Sequence, residues 1–75
     1  EVAFQRMDSR LANYLLNTSG EDGSIHTTHQ QIADELGTAR EVITRLLRDF
    51  EADGKIALQR GLIRLLDKES LADQL

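Results

Sequence analysis

The residues from Thr28 to Phe50, THQQIADELGTAREVITRLLRDF, leave few ways for this chain to fold. Gly37 sits between two helical patterns, where the residue just past a helix often needs the left-handed conformation that only glycine adopts cheaply. Before it, Thr28 and Gln31 have the capping-box spacing, and Ile32, Ala33 and Leu36 form an apolar inner face. After it, Thr38 and Glu41 repeat that spacing, so a second helix is predicted to open at once, run to about Ala52 and stop at Gly54. Two helices so close in sequence require a sharp turn, and small Ala33 and apolar Ile43 suit a close crossing. At about 100° per residue, Ile43, Leu46, Leu47 and Phe50 fall on one stripe with Val42 at its margin. Arg40, Glu41, Thr44, Arg45 and Arg48 share the opposite face, free to meet a partner.

The flanks complete a small domain. Residues 1–7 show no clear period and are expected to be a hinge or cut end, leaving 8–75 as one folded unit. Asp8 or Ser9 can cap a first helix over about Ser9 to Asn17, with Leu11, Ala12, Leu15 and Leu16 on its apolar stripe. Thr18 to Ser24, TSGEDGS, has the composition of an exposed loop, and Ser24 to Thr27 suits a very short strand with Ile25 turned inward. Lys55 to Leu58 and Leu62 to Leu66 flank Gln59-Arg60-Gly61, which predicts a hairpin. Alternation turns Ile56, Leu58, Ile63 and Leu65 inward and leaves Lys55, Arg60 and Arg64 outside. Asp67 can cap a short last helix in which Leu71 and Leu75 lie one turn apart. The order predicts a mainly α (α+β) winged helix-turn-helix: a three-helix core, a helix-turn-helix over about 28–52, a β-hairpin wing over about 55–66 and a short C-terminal helix.

Composition narrows the chemistry. With 75 residues the chain supports one core, near the size where only about 60% of the unfolded surface is buried. Cysteine is absent, so neither disulfides nor thiolate metal sites can contribute. No run approaches the roughly 20 apolar residues of a membrane helix, and EVAFQRMDSR lacks a signal-peptide pattern. A soluble domain is expected, and a cytoplasmic home is compatible with it. His26 and His29 have no evident third ligand, and Asp49, Glu51 and Asp53 read as a solvated face. Ser9, Ser19 and Ser24 lack a nucleophile setting, so neither a metal site nor an enzyme is expected.

The net charge of −4, from nine Lys and Arg against thirteen Asp and Glu, argues at face value against nucleic acid. Its distribution argues otherwise, because Thr38 to Arg48 carries a local balance of +2 while the acids gather elsewhere. In helix-turn-helix proteins the second helix enters the major groove with its N-terminal residues at base edges. Arg40 or Arg45 can donate a bidentate pair to guanine, Glu41 can accept from cytosine N4, and Thr44 can touch a thymine methyl or a phosphate. Thr28, His29, Thr38, Arg48 and Arg60 are the candidate phosphate contacts. Each has a plainer alternative: Glu41 capping its helix and pairing with Arg45, Arg48 merely solvated, and Arg60 and Arg64 keeping a hairpin soluble.

LGTAREVITRLL, Leu36 to Leu47, resembles the recognition segment of the Crp/Fnr family of bacterial transcription regulators, in which a turn glycine precedes an Arg-Glu pair. FQRMDSRLANYLL resembles the hinge and first helix of that family's C-terminal domain, THQQIADELG its second helix, and RGLIRLLDKESLADQL its wing and final helix. The resemblance implies base reading by Arg40, Glu41 and Arg45, with Thr44 where some relatives place a contacting serine, and half-sites with a TGA-like core. It further implies a homodimeric parent with an N-terminal sensor, double-stranded DNA as partner, and RNA polymerase near the Thr18 to Ser24 loop. No cofactor is implied for this segment, and the effector of such a sensor is not legible in it. Ala39 departs from a common phosphate-contacting Ser or Thr, and Leu62 from a common basic wing residue. The competing class is a winged-helix docking module for another protein, which the acidic total would suit.

Overall fold

Helix α2, His29–Leu36, starts where its capping box closes: the Thr28 hydroxyl accepts from the Gln31 N–H at 3.1 Å, and the Thr28 N–H donates to Gln31 Oε1 at 3.0 Å. It ends at Gly37, whose φ of 70° and ψ of 38° are the left-handed values the turn requires. The N–H groups of Gly37 and Thr38 both donate to the Ala33 carbonyl, the latter at 2.9 Å. That engagement displaces the expected second capping box. Thr38 is spent on closing α2, so Ala39 becomes the N-cap of α3, Arg40–Ala52, with no side-chain cap.

The computed structural model describes residues 6–74. Around the helix pair run α1 (Met7–Thr18), β1 (Ser24–Ile25), β2 (Ile56–Gln59), β3 (Leu62–Leu65) and α4 (Lys68–Ala72). The strands form one antiparallel sheet in the order β1-β3-β2, with Ile25 opposite Ile63, Ile56 opposite Leu65 and Leu58 opposite Ile63. The core joins Leu11, Ala12 and Leu15 of α1, Ile32 and Ala33 of α2, Ile43, Leu47 and Phe50 of α3, the inward strand residues and Leu71 of α4. Leu16, Leu36, Leu46 and Leu58 are only half-buried at its edge.

Several local expectations shift. Helix α1 begins earlier than Ser9, with Arg6 at its N-cap and no side-chain cap. Asp8 lies inside the first turn, where its carboxylate accepts from the Ser9 N–H at 2.9 Å and pairs with Arg6 at 3.4 Å. Ser9 is instead buried, and its hydroxyl donates to the Gln74 carbonyl, tying α1 to the far end of the chain. Gln59 belongs to β2 opposite Leu62, so Arg60-Gly61 alone connects the hairpin. Strand β3 stops before Leu66, which is exposed. Lys55 is not outside: its side chain is only 14% exposed, lying with Nζ 5.5 Å from the Phe50 ring centroid and 3.8 Å from Asp53. This lets its apolar stem cover the aromatic while the ammonium reaches an acid. The expected pairing of Leu71 with Leu75, and most of the expected hinge, lie outside the described residues.

Two glycines separate backbone strain from steric crowding. An added Cβ at Gly37 meets nothing within 4 Å, whereas at Gly23, φ 78°, it would lie 3.3 Å from the Leu65 carbonyl oxygen. Gly23 is also fixed by the Leu65 N–H, which donates to its carbonyl at 2.7 Å, so this part of the predicted exposed loop is buried against β3. Gly37→Ala should cost about 1–2 kcal/mol from the left-handed conformation alone. Gly23→Ala should cost more, and urea unfolding of the two variants measures the difference.

Helix α4 tests capping by charge. The Ser70 hydroxyl and N–H donate to the Asp67 carboxylate at 2.7 and 3.1 Å, bonds that hold its pKa below the ordinary 3.8. Ionised Asp67 therefore stabilises the fold above that value, and the contribution is lost as pH falls through the lower folded-state value. Asp67→Asn should lower the urea midpoint at neutral pH, and the gap should close in acid below 3.8. A gap unchanged across that range would remove the charge from the explanation.

Candidate nucleic-acid interface

The polar face of α3 exists because its neighbours are fully used. Ile43 and Leu47 are completely buried and Phe50 nearly so, which orients the helix about its axis. Arg40, Glu41, Arg45 and Arg48 are left exposed with Thr44 half-buried between them, and together they line one shallow trough ending at Asp49. Among the described residues the ion pairs are Arg6 with Asp8 and Lys55 with Asp53. The three guanidiniums of the trough are thus uncommitted, and Glu41 neither caps α3 nor pairs with Arg45. The plainer reading of Glu41 has no contact behind it.

A second concavity opens where the N-terminus of α2, the middle of α3 and the hairpin meet. Thr28, His29, Arg48 and Arg60 all line it. Four of the five phosphate candidates are so gathered, although they come from three separate elements. Thr38 stands apart in the turn, half-buried, with its N–H given to Ala33. Arg48 borders both concavities and joins the α3 face to the wing. The hairpin is held to α3 by Glu51, whose Oε2 accepts from the Leu58 N–H at 3.3 Å. Glu51 and Asp53 lie on the expected solvated face, and each makes one contact from it.

His29 is the residue whose role changes most. Its Nδ1 lies 2.8 Å from Thr44 Oγ1, linking the first residue of α2 to the α3 face. Burial, and then the positive charges of Arg40 and Arg48, push its pKa below 6.5. Near neutral pH it offers a phosphate a hydrogen bond and no charge. Thr44, expected to face bases freely, is held by this bond. The pair is separated by fifteen positions and joined only by the helix crossing, so no local spacing could announce it. Arg10 is a second surprise: its Nη2 donates at 3.1 Å to the Leu36 carbonyl, closing an otherwise open end of α2.

Glu41 and Asp49 are the acids of the α3 trough, and none lines the concavity beside the wing. A separate concavity between α1, β1 and α2 is lined by Asp34 and Glu35 with His26, charges that repel a phosphate backbone. Arg64 is exposed at the centre of β3, opposite Ser24 and Ala57, and its charge reaches Asp22. Among the described residues no helix is long and apolar enough to cross a membrane.

Comparison with known proteins agrees with this arrangement. The Crp-like helix-turn-helix domain family matches residues 9–74. The transcriptional regulator SdrP of Thermus thermophilus is 31% identical over 80 residues, an alignment covering 96% of this chain and 40% of that protein. A Crp/Fnr-family regulator from Eubacterium rectale superposes with a TM-score of 0.90 at 38% identity, covering 96% of this chain and 34% of its own. Another of that family from Thermus thermophilus gives 0.86 at 30% identity, covering 96% and 41%. The chain spans about two fifths of the length of its curated relative. Because the glycine turn, the arginine-lined α3 and the sheet-backed wing all fall within the matched residues, the chain belongs to the Crp-like helix-turn-helix domains of Crp/Fnr-type transcription regulators.

Proposed function

We propose that this domain reads double-stranded DNA in sequence, with α3 in the major groove. Arg40, Glu41, Thr44 and Arg45 reach base edges, while Thr28, His29, Thr38, Arg48 and Arg60 meet phosphates. The carrying observation is the continuity of the two concavities through Arg48, which puts uncommitted guanidiniums along a single helix beside a wing. A helix with side chains is about 10–12 Å across and the major groove about 12 Å wide, so α3 fits as a probe. An Arg beside a Glu suits a G·C pair, the guanine accepting two hydrogen bonds and the cytosine donating one. A half-site with a TGA-like core contains such a pair.

The parent is a homodimer in this reading. Half-sites one turn apart have centres about 34 Å from each other. The domain measures 35 × 25 × 22 Å, so two copies placed side by side along their shorter dimensions fit without overlap. The loop before β1 is the proposed meeting point with RNA polymerase. Its shape is preset by Asp22, whose Oδ1 accepts from the Ser24 N–H and hydroxyl, leaving Gly20, Glu21 and Asp22 exposed. A bacterial, cytoplasmic setting follows from the same reading, and the signal belongs to other parts of the parent.

Selection from random-sequence duplexes tests the assignment. Arg45→Ala should relax preference at one base-pair position and cost about 1–3 kcal/mol per half-site. Arg60→Ala should weaken all sequences alike and reduce the salt slope by about 0.9. Binding indifferent to both salt and sequence would point instead to a protein-docking module.

A further inference from the structure

We propose that His29 is a positioning residue for base reading: its Nδ1 accepts a hydrogen bond from the Thr44 hydroxyl, so that Thr44 presents an acceptor and a methyl group to the groove and selects an A·T pair. The inference rests on the DNA-reading assignment above and adds a mechanism at one position of the site.

The geometry carries the argument. A threonine hydroxyl has one proton and two lone pairs, and an unrestrained one can serve as donor or acceptor toward any base. Here Oγ1 lies 2.8 Å from Nδ1, so its role depends on the imidazole tautomer. The tautomer is set by what the other ring nitrogen does. The ring also lines the concavity shared with Arg48 and Arg60, where a phosphate is drawn by both guanidiniums. An Nε2–H donating to that phosphate leaves Nδ1 bare, and the Thr44 hydroxyl must then donate to it. Thr44 is left with oxygen lone pairs and Cγ2. In the major groove, adenine N6 supplies a donor and thymine a methyl group, which makes A·T the pair that satisfies both. A phosphate contact at α2 thereby governs a base contact on α3.

Protonation reverses the arrangement. The charged groups facing His29 are Arg40 and Arg48 from α3 and Arg60 from the wing, all positive, and no acid lines the shared concavity. Burial, and then the charges of Arg40 and Arg48, keep the imidazole neutral down to a pH below 6.5. Beneath its pKa both ring nitrogens carry protons, Nδ1–H donates to Oγ1, and the Thr44 proton becomes free to donate to a guanine or thymine acceptor.

The test compares the unsubstituted chain, His29→Phe, Thr44→Val and the double variant in selections from random-sequence duplexes. His29→Phe and Thr44→Val should change preference at the same single position, each by about fivefold. The double variant should shift that preference no further than either alone, while positions read by Arg40 and Arg45 stay unchanged. Uniform weakening without altered preference would make His29 a plain phosphate contact and overturn the proposal. No selected sequence from the unsubstituted chain would instead overturn the DNA-reading assignment itself. Nitrogen NMR of the unsubstituted chain bound to its selected duplex decides the matter even where a variant does not fold. An unprotonated Nδ1 with a protonated Nε2 is expected, and Nδ1–H at neutral pH refutes the mechanism. The same titration gives the pH at which preference at that position should leave A·T, a change that His29→Phe should abolish.

Discussion

The Ala33 carbonyl is the hinge pin of this domain. It accepts from both Gly37 and Thr38, and by doing so it ends α2, fixes the left-handed turn and delays α3 to Arg40. Everything on the reading face is placed by that delay. A residue without a β-carbon at position 37 and a small one at 33 are thus requirements of a single junction, since one frees the backbone and the other admits close approach. The buried Ile43 and Leu47 then hold the orientation that the turn selected.

The elements built on short-range rules were legible. Thr28 and Gln31 form the box that their spacing announces, Asp67 caps α4, and alternation places Ile56, Ile63 and Leu65 inward. The failures share a cause: a residue suited to one local arrangement was drawn into another contact. Ser9 could have capped α1 but reaches Gln74, Thr38 could have capped α3 but its backbone closes α2, and Lys55 covers Phe50 rather than facing water. The Ser9 contact spans the chain and needs the assembled fold, whereas the Thr38 and Lys55 contacts, each within five residues, are decided by how α2 ends and where Phe50 packs. The reading face followed the same division. Helical period alone separated Arg40, Glu41, Arg45 and Arg48 from the core, whereas the link between His29 and Thr44 exists only once two helices cross.

The wing depends on the same economy of contacts. A two-stranded hairpin is marginal alone in water. This one gains a third strand through β1, an anchor from Glu51 to the Leu58 N–H, and a closed base where the Leu66 and Asp67 N–H groups donate to the Lys55 carbonyl at 2.8 and 3.1 Å. Those three attachments come from the loop after α1, from α3 and from the entry to α4. The position of Arg60 relative to Arg48 is consequently a property of the whole domain, and a destabilised sheet would loosen the concavity they share.

Part of the acidic total has a structural origin. Asp22 and Asp67 satisfy backbone N–H groups and serine hydroxyls, Glu51 holds the wing, and Asp8 and Asp53 balance neighbouring cations. Carboxylates suit these posts because a turn or a helix start presents donors, which a lysine or arginine cannot accept from. Negative charge thus accumulates where the chain must be folded, and uncommitted arginine remains where α3 is exposed. In the proposed DNA-reading role this arrangement would limit the electrostatic contribution to binding, because only Arg48 and Arg60 bring charge to the concavity beside the wing and each neutralised phosphate changes the salt slope by about 0.9. Under that proposal a single copy relies on directed contacts at base edges. The homodimer proposed for the parent would multiply those contacts through effective concentration without adding bulk charge, which would keep non-specific attraction low while the specific complex strengthens.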